Sequence, residues 1–131
     1  MTITKDATSL GMTWEKDYAY SQAVKVGDTI YVAGQVSHDE KGNIVGVGDM
    51  ETQMRQAYAN IGKVLARYGA AMDNVVEDVL FVTDMDAAFA AACNVRKQVF
   101  PGIVPCASTI VQIQRLALPD LMVEIKCTAR V

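Results

Sequence analysis

The stretch LMVEIKCTARV, residues 121–131, decides the fold, because its apolar and polar side chains alternate without a break. Leu121, Val123, Ile125, Cys127, Ala129 and Val131 face one way along an extended chain, and Met122, Glu124, Lys126, Thr128 and Arg130 face the other. Successive side chains of a strand project to opposite faces, so the pattern predicts a strand with one side on a core. Upstream, DTIYVAGQV at 28–36 is rich in β-branched and aromatic residues and reads as a partner strand. Val26-Gly27-Asp28 supplies a turn that pairs it with YSQAVK at 20–25 as a hairpin. VVEDVLFVT at 75–83 and the stretch 107–116 behind Pro105 are the remaining strands, and the turn-rich segment 37–49 reads as a loop.

Between these strands the period changes. Met54, Ala57, Tyr58, Ile61, Val64, Leu65 and Tyr68 recur at steps of three and four, which predicts a helix over 50–68 with Asp49 as N-cap and Gly69 as its stop. A second helix is expected from an Asp86 cap to Phe100, with Phe89, Ala92, Cys93, Val99 and Phe100 on its buried stripe and Pro101-Gly102 ending it. The order ββ–α–β–α–ββ describes an α+β sandwich of two layers, a mixed sheet with two helices on one face. The other face carries Tyr31 or Ala33, Val111, Ile113 and Met122, an apolar area that predicts a closed homo-oligomer.

A chain of 131 residues suits one domain, here 1–131, and 51% hydrophobic residues against 21% charged suffice for a core. Twelve Lys and Arg against 15 Asp and Glu leave a net charge of −3, which lacks the basic field that a general nucleic-acid binder needs. No apolar run approaches the ~20 residues of a membrane span, and MTITKDATS has no secretory apolar segment, so a soluble cytoplasmic protein is expected. Three cysteines without CxxC or Cys/His spacing read as reduced thiols rather than a disulfide frame or a zinc site.

No serine elbow, P-loop, GxGxxG or metal-binding helix motif occurs. His38, the single histidine, reads as a solvated loop residue, which leaves a His-based triad without its base. Asp84-Met85-Asp86 reads as a strand end and helix cap rather than a metal pair. Glu124, mid-strand and facing away from the helices, has two readings. It is either a half-buried carboxylate with a raised pKa, able to exchange protons near neutrality, or the partner of Lys126, Arg130 or a neighbouring chain in a salt bridge. Cys127 and Cys93 read as core, Cys106 as an exposed strand entrance, and no histidine is available to activate any of them. Arg96 is either an anion grip or an exposed arginine paired with a carboxylate.

The element order, GDTIYVAGQV, the helix bearing Gln53, Arg55, Asn60 and Ile61, VEDVLFVTDMDAAFAA and the ending LPDLMVEIKCTARV resemble the Rid (YjgF/RidA) family over about residues 18–131. The resemblance implies a chorismate-mutase-like fold assembled as a homotrimer, with ligand clefts between subunits. Members like RidA hydrolyse imines and enamines made by pyridoxal-phosphate enzymes, release ammonia and a 2-keto acid, and need no metal or cofactor. Carried onto this chain, Tyr20 matches the aromatic that closes the cleft and Gly34 a backbone contact. Ala33 stands where serine is common, and Cys93 falls near a frequent asparagine. Glu124 matches the acid that positions or activates the attacking water.

The departure lies at Pro105-Cys106-Ala107-Ser108-Thr109, where RidA-like members read Pro-x-Arg-Ser-x. Ala107 replaces the arginine that grips the substrate carboxylate, a charge-assisted contact contributing on the order of 1.5–3 kcal/mol. Strand alternation puts Ala107 and Thr109 on one face, a smaller and less cationic cleft floor unless Arg96 or Arg115 supplies the charge. Three functions follow from the resemblance. The first is imine or enamine hydrolysis without efficient turnover of 2-imino acids. The second is non-catalytic binding of a small metabolite by the trimer. The third is RNA cleavage, which the acidic balance and single histidine disfavour. The expected partners are copies of the chain and a small-molecule ligand, with neither membrane nor nucleic acid.

Overall fold

Six strands form one mixed sheet in the computed structural model, which describes residues 2–102 and 104–131. In chain order the elements are β1 (Asp6–Thr8), α1 (Thr13–Tyr18), β2 (Ala23–Val26), β3 (Thr29–Val36), α2 (Met50–Ala66), β4 (Val75–Val82), α3 (Met85–Val99), β5 (Ala107–Gln112) and β6 (Val123–Arg130). The sheet runs β1-β2-β3-β6-β4-β5, antiparallel throughout except for the parallel pair β4–β5. The hairpin β2–β3 closes through Gly27 at φ 60°, a left-handed position that a tight strand turn requires and glycine adopts without strain.

The expected α+β two-layer architecture is present, with β6 at its centre. The inward row Val123, Ile125, Cys127 and Ala129 is buried, between Ile30 and Val32 of β3 and Leu80 and Val82 of β4. Over it lies α2, burying Met54, Ala57, Tyr58, Ile61, Val64 and Leu65 as its period predicts, at roughly 1.5–3 kcal/mol for each large apolar side chain. Asp49 caps α2 by accepting the Thr52 N–H at 3.1 Å, and Gly69 at φ 69° turns the chain away.

Four expectations change. The cap of α3 is Asp84, which accepts the Ala87 N–H at 3.1 Å, and Asp86 sits in the first turn. Its buried stripe is Ala88, Ala91 and Val95, whereas Phe89 is 62% exposed and Cys93 is exposed. Alanines at 87, 88, 90, 91 and 92 fit any face, so the large side chains mislead by one position about which row meets α2. Strand β5 stops at Gln112 rather than 116; the Ile113 N–H still bonds Val82, after which the chain leaves the sheet. Finally, β1 and the six-residue α1 precede the hairpin, both too short to leave a periodic trace in sequence. No helix among the described residues is long and apolar enough to cross a membrane.

Candidate functional site

The sheet face turned away from the helices carries Glu124 in the row Val36–Glu124–Phe81–Val111 across β3, β6, β4 and β5. Beside it the β3–β6 register shifts between Val32 and Gln35, a bulge that takes Ala33 and Gly34 out of the regular ladder. The Gly34 backbone then passes so close that a Cβ there would lie 2.6 Å from the Glu124 carboxyl carbon. Glycine is required for space, not for an unusual φ. Glu124 itself is half-buried, and burial holds its carboxyl above the usual carboxylate range. The salt-bridge alternative is not realised within the chain: Arg130 pairs with Asp28 at 2.6 Å, and neither it nor Lys126 reaches Glu124.

Tyr20 approaches from the start of the hairpin. Its hydroxyl accepts a bond from Gln22 Nε2 at 3.3 Å. Burial pushes the phenol up, and the charges of Glu15 and Glu124 add to the rise, so Tyr20 and Glu124 share one electrostatic neighbourhood. Behind them runs a buried polar chain that sequence reading missed. Glu15 Oε2 accepts from Leu10 N, Met12 N and Gln22 Nε2 at 3.0–3.2 Å. Burial opposes ionisation of Glu15, yet these bonds and one from Ser9 outweigh it and hold the carboxyl below its usual range. Gln22 Oε1 accepts from Gln35 Nε2 at 2.8 Å, and Gln35 also donates to the Ala33 carbonyl at 3.1 Å. This relay pins the bulge that admits Glu124. The only trace in sequence is a glutamine set inside each of two apolar strands.

Ala33 and Gly34, with Ser21, Tyr31, Lys126 and Thr128, line a shallow depression of about 350 Å³ on the same face. Ala107 and Thr109 are exposed and share a face as expected, but they lie on the edge strand. The register runs Thr109–Val79–Lys126 and Ala107–Glu77–Thr128. At standard strand spacings this places Thr109 about 12 Å and Ala107 about 16 Å from Glu124. Cys93, on α3, belongs to the other layer. One chain therefore groups Tyr20, Ala33, Gly34 and Glu124 and separates them from Cys93, Ala107 and Thr109.

Neither candidate arginine is free. Arg96 is only 20% exposed; its Nη1 donates to Asp78 Oδ2 at 2.7 Å and to the Tyr58 hydroxyl, and its Nη2 to Cys106 Sγ at 3.7 Å. The expected pairing with a carboxylate is present, but the side chain is a largely buried strut joining α2, α3 and β4 rather than an exposed arginine or an anion grip. Arg115 donates to the carbonyls of Leu116 and Ala117 in its own loop. Cys106 is half-buried rather than exposed. Burial and the Asp78 charge push its thiol up, and burial takes that of Cys127 to about 12, so both are held protonated. His38 is a correction too: at 6% exposed it is buried, its Nδ1 2.9 Å from the Asp39 carbonyl and its ring edge-on to Trp14. Asn60, donating to the carbonyls of Val36 and His38, draws that loop down onto α2, a tertiary contact invisible in the loop's polar composition. Among the described residues, no three His, Cys, Asp or Glu side chains gather as metal ligands.

Comparison with known proteins adds the following. The family model described as Endoribonuclease L-PSP matches residues 14–131. A RutC family protein of Synechocystis is 35% identical over 111 residues, 84% of each chain. A 2-iminobutanoate/2-iminopropanoate deaminase of Dermatophagoides farinae is 34% identical over 91 residues, 70% of each chain. Among solved structures, a YjgF-family member from Mycobacterium tuberculosis superposes with a TM-score of 0.86 at 30% identity, covering 98% of this chain and all of that one.

Proposed function

The chain belongs to the Endoribonuclease L-PSP family, the family of YjgF and RutC, and from that membership we propose that it hydrolyses small imines or enamines without metal or cofactor. Glu124 carries the reading. Its carboxylate is half-buried, held against Gly34 and without an ion-pair partner among the described residues, and burial raises its pKa, which suits a group that takes and returns a proton during a reaction. In the reaction Glu124 accepts a proton from water, whose oxygen adds to the imine carbon. The same proton then returns to nitrogen to give a carbinolamine; Glu124 next takes the carbinolamine hydroxyl proton and passes it to the amine, so that the C–N bond breaks as the C=O bond forms and ammonia leaves behind a carbonyl. Three relatives at 34% identity bear the name 2-iminobutanoate/2-iminopropanoate deaminase.

The working unit is a homotrimer. Tyr31, 55% exposed, and Val111, with half-buried Val79 and Phe81, give the outer sheet face an apolar surface suited to a second copy. The separation of Glu124 from Ala107 and Thr109 within one chain supports a cleft that takes Glu124 from one copy and β5 from the next. Three free cysteines suit the reducing cytoplasm. Ala107 leaves that cleft without a guanidinium to orient a 2-imino acid, so turnover of such substrates is slow.

Ala107 also favours a second reading, binding of a small metabolite without turnover. The test generates 2-iminobutanoate in situ from threonine with a dehydratase and follows its loss in competition with semicarbazide. Slow hydrolysis abolished by Glu124→Ala supports the hydrolase. Hydrolysis that survives this substitution refutes the role of Glu124, and ligand binding without turnover leaves the second reading in its place. Sedimentation as a monomer at micromolar concentration would remove the shared cleft.

A further inference from the structure

We propose that Glu15 is a positioning residue for the face that carries Glu124: acting through Gln22, it fixes the Tyr20 hydroxyl as a hydrogen-bond donor to what binds there. The inference rests on the reading of this face as reactive and adds the group that sets the direction of its hydrogen bonds. Glu15 is buried on α1, and its Oε2 accepts the N–H groups of Leu10 and Met12 at 3.2 and 3.0 Å. Backbone donors cannot reverse, so this oxygen is committed as an acceptor and meets Gln22 through Nε2, at 3.1 Å. At the far end the Ala33 carbonyl, which can only accept, takes a bond from Gln35 Nε2 at 3.1 Å. Between these fixed ends Gln35 Nε2 donates to Gln22 Oε1 at 2.8 Å. Turning either amide over would set oxygen against oxygen or N–H against N–H, so the polarity of the whole relay is locked.

Tyr20 receives the consequence. Gln22 Nε2 also donates to its hydroxyl oxygen, at 3.3 Å, so the phenol accepts from the relay. A tyrosine hydroxyl carries one hydrogen, and among the described residues Tyr20 donates it to no acceptor. That hydrogen is left for a bound molecule, and it suits an unprotonated nitrogen or a carbonyl oxygen rather than an ammonium. Burial pushes the phenol pKa up, so the donor persists at neutral pH. Glu15 stays charged, because burial opposes ionisation but the bonds from Ser9, Met12, Gln22 and Leu10 outweigh it. Without this acceptor the Gln22 amide is free to turn, and Tyr20 would donate its hydrogen to Gln22 Oε1 instead. The relay therefore decides which of two hydrogen-bond roles the site presents.

The test uses the full-length protein with tyrosine labelled at Cζ, followed by carbon NMR and assigned by Tyr20→Phe, alongside turnover of 2-iminobutanoate. Glu15→Leu is expected to shift the Tyr20 Cζ resonance, which reads whether the hydroxyl donates or accepts, and to lower kcat about tenfold. Glu15→Gln is expected to preserve both, because the Leu10 and Met12 N–H groups hold its amide oxygen where Oε2 stood. Gln22→Met cuts the relay at its middle while Glu15 keeps its backbone bonds, and it is expected to reproduce the shift and the loss even if Glu15→Leu fails to fold. Thermal melting verifies each variant. A Tyr20 resonance indifferent to these cuts overturns the proposal. So does a Glu15→Gln protein as impaired as Glu15→Leu, which would assign the effect to charge, and so does a shifted resonance with kcat unchanged. Its failure is separable from that of the hydrolase. Turnover abolished by Glu124→Ala but indifferent to the relay keeps the hydrolase and rejects the positioning role; in a wild type without turnover the hydrolase falls, and the Tyr20 resonance alone decides the relay.

Discussion

Gly34→Ala isolates the contact on which the site is built. A methyl group at this position would stand 2.6 Å from Cδ, 2.8 Å from Cγ and 2.8 Å from Oε2 of Glu124, where ordinary contact begins at 3.4 Å. The carboxylate must retreat by about 1 Å, and a reacting group misplaced by that distance costs about a hundredfold in rate. Stability responds differently. Gly34 is not among the positive-φ glycines, so alanine introduces no backbone strain and lowers unfolded-state entropy by about 0.4–1 kcal/mol. Against this stands overpacking of about 1–3 kcal/mol, reduced here because Glu124 is a flexible side chain with solvent on one side. The variant is thus expected to melt within a few degrees of wild type while imine hydrolysis falls about a hundredfold. The raised pKa of Glu124 moves back toward its ordinary value as the group swings out of its half-buried seat. Carbon-detected NMR titration of the Glu124 carboxyl reads this displacement independently of any activity. Unchanged titration together with unchanged turnover would refute the close approach and the role built on it.

Three further outcomes are expected. Arg96→Ala removes the partner of Asp78, which is 1% exposed and whose Oδ1 already lacks a hydrogen bond. Urea unfolding should register a loss of about 3–5 kcal/mol, and a loss under about 1 kcal/mol would contradict a buried strut. Glu124→Gln tests the raised carboxyl through stability. The native state holds this proton more tightly than the unfolded chain, so wild-type stability falls as pH rises from the unfolded pKa, about 4.3, through the higher native one. The glutamine variant is therefore more stable at neutral pH, and its melting temperature converges with that of wild type below the unfolded pKa; a gap independent of pH would contradict this. Ala107→Arg, on an exposed edge-strand position, should raise hydrolysis of 2-iminobutanoate about tenfold or more by restoring a two-pronged carboxylate contact. An unchanged rate would show that Ala107 is not what limits this substrate.

Much of this architecture is legible one residue at a time. The alternation of 121–131 and the three-four spacing of 50–68 each assign faces correctly, because strand and helix periodicity is local geometry. The same argument fails on α3, where five alanines leave the period without a contrast between faces and the prominent Phe89 and Cys93 lie outside the true stripe. It fails again at His38 and Arg96, whose polar character says surface while Trp14, Asn60, Asp78 and Tyr58 bring them inside.

The candidate site divides along the same line. Chain order alone places Glu124 on the outer face of a central strand and Ala107 with Thr109 on one face of another, since covalent alternation dictates side. Proximity is another matter. The bulge at Ala33-Gly34, the Glu15–Gln22–Gln35 relay that holds it, and the shelter it provides to Glu124 join segments from distant parts of the chain. The distance that keeps Ala107 away from them is likewise set by strand order, with β6 and β5 separated by β4. Such contacts depend on how the layers close, a cooperative outcome of packing that no local pattern of residues encodes.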